Sequence, residues 1–187
     1  MVPHIRPAAA ADAARLTEIA RAAKAHWGYP EAWLDVWRDA LTITQEYIEA
    51  NCVFVAEAAG AELPATGERT PVATESGSAK RASTVGAQRS VLGMCALEDH
   101  DDRWQLAHLW VDPRAHGLGI GRALVEHVLV VAGNQRPGSV VRVESDPHAA
   151  GFYRRLGARD TGVVPAPMEG DPGRVLPLLE LDTTIAP

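Results

Sequence analysis

Residues Gln105 to Leu129 read QLAHLWVDPRAHGLGIGRALVEHVL, and the rest of the chain is placed by how this stretch is understood. Leu106, Leu109 and Val111 make an apolar extended run, which Asp112-Pro113 ends because proline has no N–H to give a strand ladder. Gly117, Gly119 and Gly121 alternate with Leu118 and Ile120. Leu124, Val125, Val128, Leu129 and Val131 then recur at helical spacing. The pattern predicts a strand, a turn, a glycine loop and an amphipathic helix. Stripping side chains from such a loop lets backbone N–H groups close on an anion. The helix that follows adds its own unsatisfied N–H groups and the positive end of its dipole. These residues describe a pyrophosphate cradle between a strand and a helix.

Two common cradles do not fit. A P-loop needs Gly-Lys-Ser/Thr where Gly121 is followed by Arg122-Ala123. A dinucleotide fold wants G-x-G-x-x-G, not G-x-G-x-G, and repeated βαβ units upstream, which the sequence does not show. The segment Val111-x-Pro113-x-x-His116-Gly117-x-Gly119-Ile120-Gly121-x-x-Leu124 resembles instead the acetyl-CoA loop of the GNAT superfamily of N-acetyltransferases. Its signature is Arg/Gln-x-x-Gly-x-Gly/Ala, and His116 departs from it at the first position. A register starting at Arg114 restores the arginine but breaks the spacing from the proline, so the first register is preferred.

A second segment supports the resemblance. Ser139 to Glu144 is a β-branched run that predicts a strand, and it leads into DPHAAGFYRRLGA, Asp146 to Ala158. This is similar to the family's second motif, Asn-x-x-Ala-x-x-Phe-Tyr followed by Gly-Phe. Asp146 replaces the asparagine and Ala158 the phenylalanine. Asp146-Pro147 also reads as a helix start, an N-cap with proline at the first helical position. Alone, Phe152-Tyr153 would read as core packing; two motifs in the right order outweigh that.

The resemblance implies an α/β (α+β) fold: a single GNAT-like domain over 1–187. Its central mixed, mostly antiparallel twisted sheet of six to seven strands is flanked by helices and splayed at the acetyl-CoA site. Acetyl-CoA is implied as co-substrate, with no metal. The backbone of Leu109, Trp110 and Val111 would pair with the pantetheine arm, and one N–H would polarise the acetyl carbonyl. His116, Gly117, Leu118, Gly119, Ile120 and Gly121 would take the pyrophosphate, with a charge-assisted contact from Arg122. Asp146, Ala149 and Phe152 would complete the cofactor side. Tyr153 is the implied general acid, since a phenol with a pKa of about 10 is protonated at neutral pH. For the base, His108 is preferred: it lies on the central strand, shares a face with Trp110, and titrates ordinarily near about 6.5. Its alternatives are a structural histidine, Glu144, or a water relay with no single base.

Around these motifs the chain reads in order. His4 to Arg6 is a first strand, and Ala11 to Ala25 a helix with Leu16, Ile19, Ala20 and Ala23 on its buried stripe. Lys24-Ala25-His26-Trp27-Gly28-Tyr29-Pro30 is a bend rich in His, Trp and Tyr, in a protein that is 5% aromatic. His26, Trp27 and Tyr29 are expected to line the acceptor pocket; capping of the core by Trp27 and Tyr29 is the equal alternative. Glu31 to Ala40 and Thr44 to Ala50 read as helices, with Trp33 and Trp37 on one face toward the core. Strands follow at Cys52–Glu57 and Val91–Leu97. Between them the stretch 60–90, rich in Ala, Gly, Ser and Thr, is expected to be a flexible insertion. Arg159 to Val164 and Val175 to Asp182 are the last strands, the second interrupted by Pro177. Arg174, before it, either pairs with an acidic substrate group or is a surface arginine.

Composition limits the partners. A net charge of −6 without a long basic run argues against nucleic acid, whose phosphates need clustered Lys and Arg. No apolar run matches a membrane span, and the start lacks a signal-peptide core. Cys52 and Cys95, each in an apolar stretch, are expected as buried thiols in a cytoplasmic protein. The acidic run Asp99-His100-Asp101-Asp102 reads as a hydrated turn, not a metal site. The expected function is transfer of an acetyl group from acetyl-CoA to a primary amine of a small molecule or protein. The alternative is a non-catalytic acyl-CoA-binding or regulatory module. Homodimers are common in the resembling family.

Overall fold

The strands are β1 (His4–Pro7), β2 (Cys52–Ala59), β3 (Arg89–His100), β4 (Arg103–Val111), β5 (Val140–Glu144), β6 (Arg159–Pro165) and β7 (Val175–Asp182). The helices are α1 (Ala13–His26), α2 (Glu31–Val36), α3 (Gln45–Ala50), α4 (Ile120–Gln135) and α5 (Ala150–Arg155). The computed structural model describes residues 2–59, 89–100 and 102–185, and its strands form one sheet in the order β1-β2-β3-β4-β5-β7-β6. Every neighbouring pair is antiparallel except β4 and β5, which run parallel. This is the mixed, mostly antiparallel sheet expected, with seven strands. The expected insertion lies outside the described residues, apart from Arg89 and Ser90, which already belong to β3.

Each face of the sheet is covered by the helix stripe that the sequence supplies. On one face Ile120, Leu124, Val125 and Val128 of α4 are buried against Leu92, Leu97, Val141 and Leu181. On the other, Leu16 of α1 and Ile48 of α3 pack with Ile43, Val53, Val55, Met94 and Ala96. Burial of each such side chain is worth roughly 1.5–3 kcal/mol, so the two stripes fix which helix lies on which face. Leu16, Ile19, Ala20 and Ala23 of α1 are all buried, as expected.

The site is positioned by one extra residue. Ala96 pairs with His108 but Leu97 pairs with Leu106, so Ala107 is a bulge in β4. A bulge bends its strand and increases the local twist. Consistent with that bend, β4 pairs with β5 only at Trp104–Val141 and Gln105–Arg142. Beyond Gln105 the two strands diverge. From Leu106 to Val111 the β5-facing backbone of β4 has no strand partner, while β5 continues pairing with β7 as far as Glu144–Leu178.

Four local expectations are corrected. The helix expected over 31–40 ends at Val36 and continues as successive turns to Leu41. Asp146 does not cap α5, which starts at Ala150. Its carbonyl accepts from both Ala149 and Ala150, and its Oδ1 accepts from the His148 N–H, so a turn comes before the helix. Pro177 does not interrupt β7: it lies just past the last β5–β7 pair, is paired with Val163 of β6, and its carbonyl still accepts from the Ser145 N–H at 2.9 Å. Cys95 is buried, but Cys52 is only half-buried.

Candidate functional site

The glycine loop is held open by an anchor at its base. Asp112 is buried, and its carboxylate accepts from Arg15 (2.7 Å), from the Arg114 side chain (2.7 and 3.0 Å) and from the Arg114 N–H (3.0 Å). Hydrogen bonds from Arg114, and then from Arg15, outweigh burial and hold the Asp112 carboxyl well below the usual carboxylate range. Arg15 also reaches the Val91 carbonyl, so α1, β3 and the end of β4 meet at this one residue. Past it, Gly117 and Gly119 both sit at φ +80°, the left-handed region that glycine enters without strain, and a Cβ on either would point into open space. Gly121 differs: a Cβ there would come within 3.3 Å of the Phe152 ring, so Phe152 seats the start of α4. The first helical bond of α4 runs from Ala123 N–H to Gly119 O, and Gly119 offers no side-chain cap. The N–H groups of Ile120, Gly121 and Arg122 therefore have no partner within the helix.

His116 and Arg122 are both exposed side chains at this loop. His116 Nε2 lies 3.2 Å from the Val111 carbonyl, and its ring meets the edge of His26 at 5.0 Å. The Arg122 guanidinium lies toward Glu126, 3.4 Å away. Leu118 is 40% exposed and is not part of the cleft lining.

A cleft of about 870 Å³ runs from this loop into the gap between β4 and β5. Leu109, Trp110 and Val111 form one wall, and Ala149, Phe152 and Tyr153 the other. Tyr153 is buried among core residues yet lines the cleft, and burial pushes its phenol above the ordinary value. It is fully protonated at neutral pH and stands beside the unpaired backbone of β4.

The far end of the cleft is aromatic and charged. Lys24 and Arg174 are 8% and 9% exposed. Lys24 Nζ lies 2.5 Å from Asp146 Oδ2 and 4.1 Å from the Trp37 ring centroid, and Tyr29 donates to Asp146 at 2.8 Å. Burial alone would raise the Asp146 carboxyl, but Lys24, the His148 N–H and Tyr29 together hold it below the usual range. Burial pushes the Tyr29 phenol up to about 12, with Asp146 adding to the shift. The Arg174 guanidinium faces Tyr29, Trp33 and Trp37 at 5.9, 5.8 and 5.2 Å from their centroids. Trp27 stacks on His148 at 5.2 Å.

The structure therefore brings most of the expected residues to one cleft, with four exceptions, the first being Leu118. His26 touches the loop through His116 but is not part of the cleft lining; Tyr29 stands behind Asp146. His108 is also absent from the lining. It lies on the α3 face of β4, edge-on to Tyr47 at 5.2 Å, with Trp110 Nε1 donating to its Nδ1 at 3.1 Å. Burial lowers its pKa, so it is neutral at pH 7 and free to accept a proton only at Nε2. Glu144 is exposed and does line the cleft. Trp33 and Trp37, expected in the core, are half-buried and cover the charged end of the site instead. Asp146, expected against the cofactor, has its carboxylate committed to Lys24 and Tyr29.

The profile of the acetyltransferase (GNAT) domain matches residues 80–157, from β3 through the glycine loop to the end of α5. Peptidyl-lysine N-acetyltransferase YjaB of Salmonella typhimurium is 40% identical over 74 residues, which cover 39% of this chain and 46% of that protein. The chain thus matches less than half the length of this relative. Among solved structures, a GCN5-related N-acetyltransferase from Rhodopseudomonas palustris is similar with a TM-score of 0.66 and 16% identity, covering 97% of this chain and 96% of its own. PaiA N-acetyltransferase from Thermoplasma acidophilum, in complex with coenzyme A, is similar with a TM-score of 0.62 and 15% identity, covering 97% and 99%. At these identities the likeness is one of fold.

Proposed function

We propose that the chain is an acetyltransferase of the GNAT type that transfers an acetyl group from acetyl-CoA to a primary amine. The observation that carries this reading is the convergence, in one cleft, of the uncapped α4 N-terminus, the unpaired edge of β4 and the buried phenol of Tyr153. The residues fit the co-substrate. Glycines with open space at their Cβ positions leave room for a diphosphate, and β4 beyond Gln105 offers an edge that β5 does not pair.

Acetyl-CoA, when bound, supplies an acyl group activated as a thioester. The N–H groups of Ile120, Gly121 and Arg122 bind the diphosphate at the positive end of the helix. The backbone of Leu109, Trp110 and Val111 orients the pantetheine arm, and an N–H of this stretch polarises the carbonyl. Ala149 and Phe152 close the opposite wall. As the C–N bond forms and the C–S bond breaks, Tyr153 gives its proton to the departing sulfur. The proton that the amine must lose passes to water, with His108 Nε2 or Glu144 as its acceptor. His108 lies outside the lining, so a water between it and the amine is part of this reading.

Coenzyme A titrated into the protein and followed by calorimetry is expected to bind at sub-millimolar concentration. His116→Ala is expected to weaken binding by less than about tenfold, since backbone N–H groups carry the diphosphate. No binding at millimolar coenzyme A overturns the reading. Thiol release from acetyl-CoA is then followed across amino acids, polyamines and lysine-bearing peptides. Peptides belong in the panel because the Salmonella relative is named for peptidyl-lysine. Binding without turnover on any amine leaves a non-catalytic acyl-CoA module.

A further inference from the structure

Two cations and one carboxylate are buried together at the acceptor end of the cleft. Lys24 is matched by Asp146. Arg174 is not matched: it is 9% exposed, lines the cleft, and has no carboxylate within ion-pair distance among the described residues. Of its five N–H donors, one reaches the Ala166 carbonyl at 3.2 Å, and the guanidinium also interacts with the Tyr29 hydroxyl, which leaves further donors for a ligand. The faces of Tyr29, Trp33 and Trp37 attract the guanidinium, but a ring face satisfies none of its in-plane hydrogen bonds. A desolvated guanidinium with free donors binds a carboxylate in fork geometry, two parallel N–H···O bonds.

The position of Arg174 separates this anion from those of the co-substrate. The diphosphate is served by α4 and the glycine loop, whereas Arg174 is carried by the connection between β6 and β7 and is faced by α2 and the α1–α2 bend. Trp33 holds that connection in place by donating to the Glu169 carbonyl at 2.9 Å. The two walls thus meet around Arg174.

We propose that Arg174 is a carboxylate clamp, and that the acceptor is an amine bearing its own carboxylate, as a free amino acid does. This deepens the acetyl-transfer reading and rests on it. The clamp fixes one end of the acceptor and leaves its amine toward the gap between the strands. The rings of Trp27, Trp37 and His148 line the space around its side chain.

The test compares matched pairs with and without the carboxylate: lysine with cadaverine, phenylalanine with phenethylamine, tryptophan with tryptamine. Two readouts are used. Turnover by thiol release gives kcat/KM. Calorimetric titration of each amine into the coenzyme-A-loaded protein gives affinity without requiring turnover. At least one carboxylate-bearing amine is expected to be preferred over its partner by tenfold or more. Arg174→Met is expected to abolish that preference while leaving the KM for acetyl-CoA within threefold, and Arg174→Lys to retain part of it. Thermal melting checks that the variants fold. If the wild-type protein handles both members of every pair equally, the clamp is wrong and the acetyltransferase reading stands. A preference that survives Arg174→Met in a folded variant also overturns it. An Arg174→Met effect on the KM for acetyl-CoA with no effect on the acceptor assigns the arginine to the co-substrate. Coenzyme A binding with neither turnover nor binding of any amine overturns both readings.

Discussion

Tyr153→Phe is expected to lower kcat by about 100-fold or more while changing the KM for acetyl-CoA by less than about threefold. General acid catalysis by one positioned group contributes typically 10²–10⁴-fold. Removing a single hydroxyl leaves the ring in its place among the buried residues, so the cost in stability should stay within about 1.5 kcal/mol. Steady-state kinetics of the two proteins, with melting curves, check both parts. The pH profile adds a sign. Burial raises the phenol above its ordinary value, so Tyr153 keeps its proton across the neutral and mildly alkaline range. The wild-type rate should therefore show no loss of a general acid up to about pH 10, the ordinary tyrosine value. An unchanged kcat in the variant removes Tyr153 from the mechanism and leaves the cleft intact.

Asp146→Ala is expected to destabilise the protein by about 3–5 kcal/mol, because it leaves Lys24 and Arg174 buried together with no acidic partner. For a chain of this size that corresponds to a fall in Tm on the order of 10 °C, measurable by calorimetry. The double variant Lys24→Met, Asp146→Ala should recover part of the loss, since the orphaned charge goes with its partner. The pH dependence follows from the direction of the shift. The folded Asp146 carboxyl lies below its unfolded value of about 3.9, so the unfolded chain takes up a proton first as pH falls. Its contribution is complete above about pH 4 and is lost as pH falls through the lower, folded value. Asp112, held down by Arg114 and Arg15, acts in the same window with the same sign. Acid unfolding of Asp146→Ala should accordingly have a shallower slope below about pH 4 than that of the parent protein. An equal slope would mean that Asp146 has no depressed pKa in the folded state.

The elements were largely legible in the sequence because their signals are local. The stripe of α1, the glycine loop and the β-branched run of β5 each carry their period or their φ requirement within a few residues. What escaped depends on partners far along the chain. The bulge at Ala107 exists only relative to Leu97 and Ala96 on β3, and β4 read alone shows no sign of it. Lys24 and Asp146 stand 122 positions apart, so neither the basic residue in the bend nor the aspartate in the second motif announces its partner. The four-residue spacing of Trp33 and Trp37 points to a shared face toward the core. Spacing says that two side chains share a face, but not what that face covers; here it is Arg174. His108 lies on the expected strand and beside Trp110. Its ring is turned to Tyr47 of α3, a partner far along the chain that β4 read alone does not announce.

The parting of β4 from β5 also divides the sheet mechanically. Four strands, β1 to β4, form one plate and β5, β7 and β6 another, and two register pairs join them. Within each plate the ladders are long; across the joint, side-chain packing around Leu106, Val143 and Tyr153 carries the load. Such a joint is the weakest rung in the backbone network, and it can loosen at lower cost than either plate can unfold. A ligand arm laid along the free edge of β4 would act as a splint across it. The molecule then stiffens as a whole when the cleft fills, and occupancy at the centre is felt at both outer edges of the sheet.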